Sequence, residues 1–71
     1  MAIQRFHSLA ALAQNFDGLV FRDIGDDSLL VHDTVHNVWH RYAWTAGRRE
    51  IKYVEQMRSE LPIMLQVYPD L

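Results

Sequence analysis

The chain has 71 residues, 49% of them hydrophobic, with eight aromatic side chains, no cysteine and a formal charge of −2. That length allows one domain, residues 1–71, with a single modest core, and the apolar content excludes a disordered polar tail. The acidic total weighs against a nucleic-acid binder, and the lack of cysteine excludes a disulfide-stapled secreted scaffold, so the expected compartment is the cytoplasm. Met1–His7 lacks the apolar stretch of a signal peptide, and no apolar run approaches the length of a membrane span.

The first readable element is a short helix. Ser8 is a good N-cap, Leu9, Leu12, Ala13 and Phe16 recur behind it at helical spacing, and Asp17-Gly18 ends it. Gly18 to Ile24 reads as a strand, closed by the turn residues Gly25-Asp26-Asp27-Ser28. Leu29 to His32 and Val38 to Trp44 are two further strands, joined through Asp33-Thr34-Val35-His36-Asn37. Together these predict a three-stranded antiparallel meander.

A competing pattern runs through the same residues. Val31, Val35, Val38, Trp39 and Tyr42 also share a helical face, so an all-α three-helix domain is the alternative; the middling helix propensity of Val, Thr, His, Asn and Trp weighs against it. From Arg48 the composition turns to Glu, Lys, Gln and Met. Ile51, Val54, Met57 and Leu61 then predict a C-terminal helical region, restarted at Ser59 ahead of Pro62, with a fourth strand at Arg49–Val54 as the other option. The expected fold is therefore α+β: N-terminal helix, short meander, C-terminal helices. The expected core is Leu9, Leu12, Phe16, Leu19, Phe21, Leu30, Trp39, Ile51, Val54, Leu61 and Leu65.

Charge is unevenly spread. Asp17 to Asp33 carries a net −4, and Arg41 to Lys52 a net +3. Such runs are usually solvated surface, but they also suit steering of a partner or of a second copy.

The chemistry-bearing residues are few. His32, His36 and His40 are spaced i, i+4, i+8, a spacing that could hold a metal on one helix. On a meander, His32 and His40 would instead face each other across the hairpin with Asp33 as a third ligand. With no Cys and no supporting Glu, ordinary polar positions are the stronger reading, and no metal or cofactor is expected. The serines lack a nucleophile-elbow context, the three glycines are far apart, and Asp26-Asp27 sits in turn chemistry, so no catalytic residue is assigned.

What remains is a segment rich in the side chains that dominate protein interfaces: Trp39, Arg41, Tyr42, Trp44, Arg48, Arg49 and Lys52. The expected function is a non-catalytic protein-binding module, a stoichiometric regulator or inhibitor of a larger protein, of the kind mobile elements often encode. The same Arg/aromatic patch makes nucleic-acid binding the alternative. A free-edged meander with surplus aromatics further leads us to expect a homodimer.

Overall fold

The computed structural model describes residues 5–57 and 65–68. Its dominant element is a six-stranded antiparallel sheet, with strands β1 (Arg5–Phe6), β2 (Phe21–Asp23), β3 (Leu29–Asp33), β4 (Val38–Trp44), β5 (Ile51–Met57) and β6 (Leu65–Val67), and, among the described residues, one α-helix, α1 (Leu9–Gln14). The spatial order is β1-β5-β4-β3-β2-β6.

The predicted helix and meander are both present. Ser8 caps α1, its hydroxyl accepting from the Ala11 amide at 3.1 Å. Asp17 and Gly18 then take positive φ, and the Gly18 amide donates to the Ala13 carbonyl. The β3–β4 hairpin turns through Thr34–Asn37, where the Asp33 carboxylate accepts from the Val35 and His36 amides and Asn37 adopts φ 54°. That turn chemistry defeats the helical reading of the same stretch, so the all-α alternative falls.

Among the described residues the C-terminal region is strand, not helix. Ile51–Met57, read first as helical from its composition and second as a strand at Arg49–Val54, is the strand β5, and Leu65–Val67 is β6, so the α+β expectation gives way to a sheet-dominated fold. Two causes are visible. Thr45–Glu50 is a tight reversal built on a 3-10 turn, with Gly47 and Arg48 both at positive φ and the Glu50 amide donating to the Thr45 hydroxyl. It returns the chain antiparallel to β4, whose free edge supplies the pairing that Lys, Glu and Gln alone would not specify. The restart at Ser59 and Pro62 lies outside the described residues.

Opposed residues of the ladder share a face and neighbours alternate. Leu29, Val31, Tyr42, Ile51 and Tyr53 thus lie on one face, and α1 covers it with Leu12 and Ala13, joined by Phe6 and Val20. Leu12, Val20, Leu29, Val31 and Ile51 are fully buried, each contributing about 1.5–3 kcal/mol of transfer free energy. Aromatic rings continue this core: Tyr42 meets Phe6, Phe16 and Tyr53 at 5.2–6.3 Å.

Against the expected core, Leu12, Leu30 and Ile51 are buried, and Leu9 and Phe16 pack at its margin. Leu19 and Val54 are instead about half exposed. In the first case the pleat turns Val20 inward in place of Leu19. In the second, a register shift in β5, opposite Arg41 and Tyr42, leaves Val54 outward. Leu61 lies outside the described residues.

Candidate functional site

The face away from α1 carries Phe21, Asp23, Leu30, His32, Trp39, Arg41 and Glu55, and it divides into two regions. Towards the β2–β3 turn it is ionic. Arg41 keeps only 15% of its side chain exposed and lies 2.9 Å from Asp26, 3.3 Å from Glu55 and 3.5 Å from Asp23, while also donating to the Ser28 hydroxyl. Hydrogen bonds from the Ser28 hydroxyl and amide, aided by the Arg41 charge, hold the Asp26 carboxyl below the usual carboxylate range. Asp27 is shared in the same way, 2.7 Å from Arg22 and 3.3 Å from Arg48. Asp23, Asp26 and Asp27 of the acidic run are therefore paired with Arg22, Arg41 and Arg48, while Arg49 and Lys52 of the basic run stay exposed.

The second region lies where the loop from α1 to β2 passes the β3–β4 hairpin. Here Phe16 and Leu19 on the loop and Phe21, His32 and Trp39 on the strands line an open hollow of about 180 Å³. Two other rings meet Trp39: Phe21 edge-on at 5.3 Å and His32 tilted at 4.8 Å. Asp17 and Thr34 complete the rim, the Thr34 hydroxyl donating to Asp17 Oδ2 at 3.1 Å, which ties loop to hairpin. Asp17 is the one charged side chain among the described residues lining the hollow. The positive φ of Asp17, a conformation Asp tolerates better than most residues, aims the loop across the sheet end.

The predicted partner-binding residues are scattered by this fold. Trp39 walls the hollow. Arg41 is locked among carboxylates, and Tyr42 is buried in the core at 3% exposure, its hydroxyl pushed up by that burial. Trp44 packs at the margin of the core with the Arg48 guanidinium 5.7 Å over its ring. Arg49 and Lys52 are exposed. The sequence reading missed Phe16, Asp17 and Leu19 as site residues, because their signals were read as a helix end and a core strand. The glycine-terminated helix followed at once by an aliphatic pair was the available clue.

The histidines do not converge as expected. His32 opposes Trp39 and His40 opposes Val31, which puts the two imidazoles on opposite faces. A different grouping forms on the helix side. Asp33 Oδ2 is 2.7 Å from His36 Nδ1 and 3.7 Å from His40 Nε2, and His40 Nδ1 is 3.2 Å from the Tyr53 hydroxyl. The hydrogen bond from His36 keeps the Asp33 carboxyl low, whereas burial pushes the Tyr53 hydroxyl up, the reverse of what a phenolate nucleophile or base requires. Among the described residues no three His, Asp or Glu side chains are placed to hold a metal ion, and no helix is long and apolar enough to cross a membrane.

Compared with family models, with curated proteins and with solved structures, the chain matches none.

Proposed function

We propose that this chain is a non-catalytic protein-binding module, a regulator that acts by occupying a larger protein, and that it receives one side chain of that partner in the hollow beside Trp39. The observation that carries the reading is the contrast between the charges and the apolar surface. Arg22, Arg41 and Arg48 are partnered inside the chain, while Leu19, 49% exposed, stands at the rim of an aromatic-lined hollow. Size supports it too. Sites for free small molecules span about 300–1,000 Å³, so 180 Å³ suits the end of one side chain.

A photo-reactive phenylalanine analogue placed at position 19, and separately at position 52, tests this reading. Irradiation in host extract is expected to give a covalent protein adduct from position 19 and none from position 52. Adducts from position 52 alone would move the site to the Arg48/Arg49/Lys52 corner, and adducts with nucleic acid there would move it to another class of partner. The edges of the meander are taken up, since β5 pairs with β4 and β6 with β2, while β1 and β6 stand at the two ends of the sheet order. The proposed partner is a different protein; a second copy of this chain, cross-linked to itself from position 19, is the other outcome of the same experiment.

A further inference from the structure

Resting on that reading, we infer that the side chain taken by the hollow is a methylated lysine, with its trimethylammonium group set against the aromatic wall and its charge met by Asp17. The chemistry of the lining discriminates among cations. Aromatic rings attract a positive charge at their faces, most strongly tryptophan, and Phe16, Phe21, His32 and Trp39 all contribute to this wall. Acceptors are scarce. The Asp17 carboxylate has one oxygen already engaged by Thr34, and His32 Nε2 lies 3.4 Å from the Asn37 side-chain oxygen.

An unmodified lysine brings three N–H donors and an arginine five, and few of them would find an acceptor on this wall. A trimethylammonium group has no N–H. It offers nine polarised C–H bonds to apolar and π surface, and it needs only the through-space charge of Asp17. A neutral aliphatic side chain would fill the same space but draw no attraction from the Asp17 carboxylate at the rim. Charge complementarity and donor count therefore select the same occupant.

The test is a titration of the isotopically labelled chain with four probes, followed by the Trp39 indole resonance and the His32 and Thr34 amides. The probes are a short trimethyllysine peptide, the same peptide with unmodified lysine, the same peptide with the neutral tert-butyl isostere, and choline chloride. The trimethyllysine peptide is expected to bind at least about tenfold more tightly than the lysine peptide or the isostere, the scale of a partly desolvated cation–π contact. Asp17→Asn, which keeps the Thr34 contact and tolerates positive φ, is expected to weaken it several-fold with an unchanged thermal melt.

Equal binding of the isostere would overturn the inference in favour of a plain apolar slot. Choline binding as tightly as the peptide would overturn the protein source in favour of a free or lipid headgroup. No response at Trp39 to any probe, with the position-19 cross-link intact, would remove the methyllysine and leave the protein-binding reading standing. Loss of that cross-link as well would remove both.

Discussion

The two faces of this sheet are stabilised by different physics. The face beneath α1 is aliphatic and aromatic, built from Leu12, Leu29, Val31, Tyr42 and Ile51 with hardly any exposure. The opposite face buries Leu30 but surrounds it with an arginine, three carboxylates and the aromatic hollow. Apolar burial of the first kind does not weaken as ionic strength rises or as carboxylates protonate, while the ion pairs of the second weaken in both cases. A small chain that gives one face to its core can thus hold polar and receptive groups on the other. The partner surface is expected on that second face because the aromatic hollow opens there.

The contrast breaks most clearly at Leu12. Leu12→Ala removes a fully buried side chain that joins helix to sheet and is expected to cost about 2–5 kcal/mol in urea unfolding. No second substitution on that face should restore it without refilling the volume. Arg41→Met is expected to cost less, about 1–3 kcal/mol, since it strands Asp23 while Asp26 and Glu55 are already more than half exposed and screened by water. There a second change should help: Asp23→Leu on the Arg41→Met background should recover part of the loss, because a hydrophobic replacement of a paired set is often neutral. A double mutant no better than Arg41→Met alone would mean that the arginine acts through packing of its stem rather than its charge.

The helix side offers a smaller and more local test. Ser8→Ala removes the hydroxyl that accepts from the Ala11 amide and should cost about 1 kcal/mol. Six residues of α1 cannot hold themselves together without a cap and the sheet behind them. Circular dichroism of the variant should show the sheet retained. Collapse of the sheet signal would instead make α1 a nucleus for the whole fold.

Local chemistry explains which elements were legible in the sequence. Ser8 and Asp17-Gly18 announced a helix, and Asp33 with Asn37 announced a hairpin, because in each case the signal and the structure lie within a few residues of each other. β5 was not legible. Ile51, Val54 and Met57 fit a helical period, and only the reversal at Gly47-Arg48 and the waiting edge of β4 make the segment a strand. Pairing across sequence distance has no local signature. The candidate site was hidden for the same reason: Asp17 and Thr34 are seventeen residues apart, and the hollow exists only once their hydrogen bond joins loop to hairpin. Of the residues singled out beforehand for partner binding, Trp39 alone lines it.

Acid should separate the two faces by the smallest effect and the most specific one. Asp26, on the ionic face, is held low first by hydrogen bonds from Ser28 and then by Arg41; Asp33, at the hairpin end of the helix-covered face, is held low by His36. A carboxyl whose folded value is depressed stabilises the fold at every pH above its unfolded value, near 3.8. That stabilisation then fades as the pH falls through the lower folded value. Urea midpoints should consequently hold steady from neutral pH down to about pH 4–5 and decline below it. Asp26→Asn should flatten that decline, and Asp33→Asn should flatten it independently, because the two carboxyls share no partner. In Arg41→Met the Asp26 share should shrink but persist, since Ser28 still donates, whereas the Asp33 share should be untouched. If Arg41→Met erased both shares, the carboxyls would be coupled through the sheet, and the two faces would not be electrostatically separate.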